Sequence, residues 1–125
     1  MRSLLSRFLA TLCCLVFAGL VRADDFKSTV IQGADGTVSL THVPGDRFLV
    51  IRNFTQDGVG SGTRGFVTVS PPLQSGVNVL AAAIIDPNSS SVDVINNIVI
   101  AGPASVTVTC DPSATCFITY RKDPN

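Results

Sequence analysis

The sequence predicts an all-β protein: an antiparallel β-sandwich of jelly-roll or immunoglobulin-like type, with about eight strands and one hairpin disulfide. Three observations predict it. No helical pattern follows Ala23, and glutamate is absent from that part of the chain. Short runs rich in Val, Ile and Thr are broken by Gly, Pro, Asn or Asp every 8 to 12 residues or so, which is typical of sandwiches and barrels. Cys110 and Cys116 flank a turn between two such runs.

The N-terminal segment, residues 1–23, has the three parts of a secretory signal peptide. Arg2 and Arg7 provide the positive end, residues 8–20 form an uncharged apolar run, and Ala23 is a small residue at the cleavage position. The run is shorter than the roughly 20 residues that a membrane span needs. Cleavage after Ala23 is therefore predicted in preference to a membrane anchor. We expect a secreted or periplasmic protein with no membrane contact after cleavage.

Residues 24–125 are predicted to form a single β-sandwich domain. This part has 102 residues with six lysines or arginines and nine aspartates, a net charge of −3. It has no basic stripe, so nucleic acid is excluded as an expected partner. Cys13 and Cys14 leave with the signal peptide, and the remaining pair, Cys110 and Cys116, favours a disulfide in an oxidising compartment.

The strands on either side of this disulfide are predicted to form a hairpin. Val106 and Val108 alternate with serine and threonine, and β-branched and aromatic residues follow the turn. If Cys110 faces Cys116 across the hairpin, Val108 lies opposite Ile118, and the apolar residues share one face.

Further strands are predicted at residues 26–32, 37–43, 47–55, 64–70, 77–85 and 92–100. The segment 77–85 is ambiguous because its AAAII run could begin a helix, but the preceding Gly76 and the β-branched residues favour a strand. A bulge is predicted at Asn96 and Asn97, where the alternation slips. Residues 56–63, which include three glycines, are predicted to be a loop.

The segment 47–55 is apolar on both faces and is predicted to be a central strand. The alternation places Phe48, Val50, Arg52 and Phe54 on one face. Arg52 is hard to place in that apolar row: it would pair with a buried aspartate, line an interface or lie on an edge.

No catalytic residue is predicted, and we do not expect an enzyme. His42 is the only histidine, which excludes a zinc site built on several histidines. A serine triad using His42 lacks a nucleophile motif. No cofactor is expected beyond calcium, for which Asp86, Asn88, Ser90 and Asp93 supply oxygen ligands in one loop. That loop lacks the glycine and the bidentate acid of an EF-hand, so a polar surface turn is the alternative.

Carbohydrate binding usually needs exposed aromatic platforms, and this chain has no tryptophan. Alternation assigns most of its aromatic residues to the core. Tyr120, the only tyrosine, either stacks a ligand together with a neighbouring arginine or caps the core. The candidates for a ligand site or interface are Arg52, Arg64 and Tyr120. Asn53 and Asn88 begin glycosylation sequons.

These observations favour a small secreted, non-catalytic structural or interaction domain of the cell envelope or extracellular space. The alternative is a binding module for carbohydrate or calcium. The expected partner is a protein or a second copy of the chain, because a sandwich leaves edge strands with unpaired backbone groups.

Overall fold

The computed structural model describes residues 23–57, 64–85 and 97–125. These residues form β-strands and one 3-10 turn at Gly33–Asp35, with no α-helix among them. None of them belongs to a helix with the length and apolarity that crossing a bilayer requires. The strands are β1 (Lys27–Gln32), β2 (Thr37–Val43), β3 (Arg47–Asp57), β4 (Phe66–Ser70), β5 (Val77–Ala81), β6 (Ala83–Ile85), β7 (Ile98–Ala101), β8 (Ala104–Thr109) and β9 (Thr115–Pro124).

The strands make two sheets, which confirms the predicted fold class. The first sheet has the order β1-β9-β3-β6, and β7 also pairs with β3. The second sheet has the order β2-β8-β4-β5. All pairings are antiparallel except that of β6, which runs parallel to β3.

The core lies between the two sheets and is built by alternation along each strand. In β8, Val106 and Val108 are buried while the serine and threonines that alternate with them face outward. In β9, Ile118 is buried in the same way. Each strand therefore contributes every second side chain to a shared interior, as period-2 geometry requires. The other fully buried large residues include Val43, Leu49, Ile51, Phe54 and Val67.

The two strands that flank the disulfide do not form a hairpin. β8 pairs with β2 and β4 in the second sheet, whereas β9 pairs with β1 and β3 in the first. The predicted pairing of Val108 with Ile118 is therefore wrong: Val108 pairs with Val67, and Ile118 pairs with Phe54. Alternation specifies which side chains point inward but not which strand lies beside which. The same pattern therefore fits two strands paired in a hairpin and two strands that face each other across a core.

The segment predicted as a strand at 77–85 is extended, not helical, but it divides into two strands. β5 belongs to the second sheet and β6 to the first. Ala82 lies between them, fully buried, and its N–H donates to the carbonyl of Gly65 at 2.9 Å. The chain thus crosses from one sheet to the other at a small residue.

β3 is confirmed as a central strand, with β9 on one side and β6 and β7 on the other. Its register with β9 shifts between Ile51 and Asn53, so Arg52 is the additional residue of a β-bulge. Ile51 and Phe54 are both buried. The prediction that Arg52 and Phe54 share a face is therefore wrong, because the bulge changes the alternation between them. Arg52 is exposed.

Two other predictions differ from the structure or lie outside it. β3 extends to Asp57, so Gln56 is part of a strand and not of the predicted loop. The predicted bulge at Asn96 and Asn97 lies at the boundary of the described residues, and β7 begins at Ile98.

Candidate interaction surface

One end of the sandwich is closed by the disulfide between Cys110 and Cys116, which confirms the predicted bridge. The two Cα atoms are 5.9 Å apart. Because the cysteines follow β8 and begin β9, the bridge connects the two sheets at their ends. Both cysteines are buried, so the bond is part of the core.

Gln56 lies beside the disulfide and is 2% exposed. Its Oε1 atom accepts hydrogen bonds from the backbone N–H of Gly65 at 2.8 Å and of Asp111 at 3.2 Å. The same oxygen is 3.9 and 3.7 Å from the sulfur atoms of Cys110 and Cys116. Sequence reasoning missed this residue, although a polar side chain continuing the inward alternation of β3 was a usable signal.

The turn inside the disulfide loop is stabilised by Asp111. Its Oδ1 atom accepts hydrogen bonds from the hydroxyl of Ser113 at 2.7 Å and from the backbone N–H of Ser113 at 2.9 Å. The Ser113 hydroxyl, and then its N–H, lower the pKa of Asp111 below the usual value of 3.8 by stabilising the carboxylate. This arrangement is a structural Asx-type turn.

Arg52 and Arg121 meet over one aromatic ring on the outside of the first sheet. Their guanidinium carbons lie 5.7 and 4.6 Å from the centroid of the Phe26 ring. Arg121 also forms an ion pair with Asp123, with Nε 2.9 Å from Oδ1. These contacts are cation–π and charge-assisted interactions, and they fix the side chains on this surface.

The other two candidates do not join this cluster. Tyr120 is partly buried and packs against the core, which agrees with the alternative that its ring caps the core. Arg64 is exposed and precedes Gly65, whose N–H bonds Gln56 at the disulfide end. The structure therefore distributes Arg52, Arg64 and Tyr120 over different parts of the molecule.

The predicted calcium ligands Asp86, Asn88, Ser90 and Asp93 lie outside the described residues. Within the described ranges, no group of three or more His, Cys, Asp or Glu residues is placed to hold a metal ion. His42 lies on β2 and is exposed.

Exposed apolar side chains lie among polar ones, such as Ser28 and Thr119, on the outward face of the first sheet, and we call this surface the outer apolar face. Leu49 and Ile51 point inward, so Phe48 and Val50, which alternate with them, point outward, and both are half-buried. Four more of its residues are exposed: Phe26 at 38%, Val30 at 58%, Val99 at 60% and Phe117 at 38%.

The residues of the outer apolar face form rows across the strands. Val30 of β1 pairs with Phe117 of β9. Val50 of β3 pairs with Val99 of β7. Adjacent strands are about 4.8 Å apart, so each pair is in side-chain contact. On the next strand Phe117 pairs with Thr55 and Val50 with Arg121, so each apolar row spans two strands. The expectation that most aromatic residues belong to the core is wrong for Phe26 and Phe117, and also for Phe66 on the second sheet.

The outward face of the second sheet has a different character. Thr37 and Thr109 share a hydrogen bond of 2.8 Å between their hydroxyls, and the Thr68 hydroxyl donates to Asn78 Oδ1 at 2.7 Å. Ser39, Ser105 and Thr107 occupy neighbouring register positions on the same face. This face is polar, as expected for an antiparallel sheet with one side in water. Phe66, Val77 and Val79 of the second sheet are nevertheless exposed, so both sheets carry exposed apolar side chains.

No protein-family model matches the chain, and no curated protein matches it. Two solved structures are similar in fold, both crystal structures of a pentameric capsid protein isolated from metagenomic phage sequences, one of them solved by iodide SAD phasing. Each is 11% identical, with a TM-score of 0.48. The matches cover 80% of this chain but only 60% and 62% of those chains. Likeness at this level does not extend to function.

Proposed function

We propose that this chain is an exported, non-catalytic structural domain that assembles with copies of itself through the outer apolar face. The observation that carries the proposal is the difference between the two sheets. Both sheets carry exposed apolar residues, but on the first sheet they pair with apolar residues across strands, Val30 with Phe117 and Val99 with Val50. Phe66 on the second sheet pairs with Ala81 and Thr109. Contiguous exposed apolar surface of this kind marks contact sites in soluble proteins.

A second copy is the occupant that this surface fits. Two sheets pack face to face when both are twisted in the same way and both present apolar side chains, at a separation of about 10 Å. A second outer apolar face meets both conditions. The face also carries charges of both signs, Arg52 and Asp57 on β3, so a two-fold arrangement can oppose unlike charges.

Export is the second part of the proposal, with cleavage after Ala23. The backbone N–H of Asp24 donates to the carbonyl of Lys122 at 3.0 Å, and its carboxylate lies 3.6 Å from the Arg47 guanidinium. The fold therefore holds the chain from the first residue after the proposed cleavage site. A buried disulfide also favours an oxidising compartment.

The experiment that tests assembly is a mass measurement by light scattering or sedimentation on residues 24–125 with the disulfide formed. We expect a concentration-dependent oligomer. Phe117→Ser should weaken assembly at least about tenfold, because it removes an aromatic contact from the face. Phe66→Ser is the matched control, since Phe66 is equally exposed at 38% but lies on the second sheet.

A protein that stays monomeric at every soluble concentration would overturn the assembly proposal, as would equal effects of the two phenylalanine variants. Export is tested separately by expressing the full chain in a bacterial host and sequencing the N-terminus of the exported product. We expect Asp24 as the first residue. Retention of residues 1–23, or cleavage inside β1, would contradict the proposed site.

A further inference from the structure

We propose that the edge strand β1 pairs antiparallel with β1 of a second copy, centred on Val30, so that two first sheets become one continuous sheet. This inference rests on the proposed self-assembly and adds to the contact between outer apolar faces a second contact, through the edge of the first sheet, with its register. It is carried by the unbroken register of β1, by the direction of its backbone groups and by the two-fold match of those groups about Val30.

β1 differs from the other strands at the edges of the described sheets. β2 and β5 each carry a register shift against their neighbour, at Leu40 and at Val79, and such bulges protect an edge from further pairing. β6 and β7, at the far edge of the first sheet, have only three and four residues. β1 has six residues in unbroken register with β9, and Lys27 is its only charged residue.

The direction of the β1 backbone groups follows from one hydrogen bond. Gly33 donates its N–H to the carbonyl of Ala114 at 2.8 Å, one position beyond the Gln32–Thr115 pair and in the same register. Hydrogen-bonded and non-hydrogen-bonded pairs alternate along an antiparallel ladder. Ile31 and Thr29 therefore bond β9, whereas the N–H and C=O groups of Ser28, Val30 and Gln32 point to the open edge.

These outward groups match those of a second β1 related by a two-fold axis at Val30. Val30 then faces Val30 of the second copy, and Ser28 faces Gln32 of that copy on both sides of the axis. Every one of these pairs is of the hydrogen-bonded type, giving about six new bonds. Lys27 faces Gly33 of the second copy, so the only charge in the strand does not oppose its own kind.

The pairing also explains the exposure of Val30. In this register each outward-pointing residue of one copy pairs with an outward-pointing residue of the other. The outward side chains of both copies therefore lie on the same side of the joined sheet. Val30, which is 58% exposed, then contacts Val30 of the second copy and remains beside Phe117. The two outer apolar faces become one continuous surface across the joined sheets.

Amide hydrogen exchange on the unaltered residues 24–125 tests this pairing directly. The amides of Ser28, Val30 and Gln32 should exchange fast in dilute protein and at least about tenfold more slowly at concentrations where the oligomer forms. The amide of Ile31, which bonds β9, should be protected at both concentrations. If the oligomer forms while the three outward amides still exchange fast, the pairing is wrong but the proposed assembly stands.

A matched pair of variants gives the second test. Gln32 has φ −83°, close to the value that proline requires, and its N–H points to the open edge, so the only backbone hydrogen bond that Gln32→Pro removes is an outward one. Gln32→Ala is the control, because it also loses the hydrogen bond from the Thr115 hydroxyl at 3.0 Å but keeps the N–H. We expect Gln32→Pro to raise the dimer Kd at least about tenfold relative to Gln32→Ala. Equal dissociation constants for the two variants would overturn the pairing, and a parent that is monomeric throughout would overturn both proposals.

Discussion

The side-chain oxygen of Gln56 accepts a hydrogen bond from the backbone N–H of Asp111 at 3.2 Å. Gln56 belongs to β3 of the first sheet, and Asp111 follows β8 of the second sheet, inside the disulfide loop. The same oxygen accepts the N–H of Gly65, just before β4. One buried side chain therefore connects three segments at the end of the core where the disulfide also crosses from sheet to sheet.

Replacing Gln56 by leucine should lower the free energy of unfolding by about 3 kcal/mol. Leucine is similar in size but leaves the N–H groups of Gly65 and Asp111 buried without an acceptor, at about 1–3 kcal/mol for each group. Urea unfolding followed by circular dichroism measures this change. Gln74→Leu is the control, because Gln74 is exposed and should change stability by no more than about 0.5 kcal/mol. Equal effects of the two variants would show that Gln56 does not stabilise the closed end.

Removing the disulfide with Cys110→Ala and Cys116→Ala should lower the free energy of unfolding by roughly 2 kcal/mol while leaving the domain folded. The bridge closes a short loop, with a sequence separation of 6, so the entropic effect on the unfolded chain is modest. Thermal unfolding of the variant, compared with that of the parent, tests this. A variant without a cooperative transition would show that the core depends on the covalent link between the sheets.

Gly33→Ala should destabilise the protein by about 2 kcal/mol or more. A Cβ atom at this position would collide with the backbone carbonyl of Asp111 and lie 2.9 Å from the carbonyl oxygen of Ala114. Overpacking against backbone cannot be relieved by rotating a side chain. Gly45→Ala is the control, since its Cβ would meet only Pro103 Cδ at 3.6 Å, an ordinary contact. A melting temperature for Gly33→Ala equal to that of Gly45→Ala would contradict the close approach.

Acid should destabilise the domain partly through Asp111. Its pKa is lowered in the folded state, first by the Ser113 hydroxyl and then by the Ser113 N–H. Above the pKa of aspartate in the unfolded chain, about 3.9, the ionised carboxylate of Asp111 stabilises the folded protein. As the pH falls through its lower pKa in the folded state, the carboxylate is protonated and this stabilisation is lost. We expect Asp111→Asn to flatten the dependence of unfolding free energy on pH below about 4, measured by urea unfolding of the variant and the parent at a series of pH values. A parallel pH dependence for Asp111→Asn and the parent would contradict this role.

Much of the local structure was predictable from residue pattern. β2 has the predicted bounds, and the alternation in β8 correctly predicts that Val106 and Val108 point into the core. The disulfide was predictable from the number of cysteines, because Cys13 and Cys14 lie in the predicted signal peptide and one pair remains after it. The candidate surface was less predictable. Arg52 was identified as unusual, but its contact with Phe26 depends on a segment before β1 that lies beside β9 only in the fold.

The sequence by itself determined the class of structure: strands of period 2, turns at Gly, Pro, Asn and Asp, and one pair of cysteines. These are local properties, because propensity and alternation act within a few residues. The tertiary structure decided which strands pair. It placed β8 and β9 in different sheets, inserted Arg52 as a bulge and left the outer apolar face uncovered. Each of these outcomes depends on contacts between segments far apart in the chain. The local pattern does not decide them, because an inward-facing side chain can pack beside a neighbouring strand of its own sheet or against a strand of the opposite sheet.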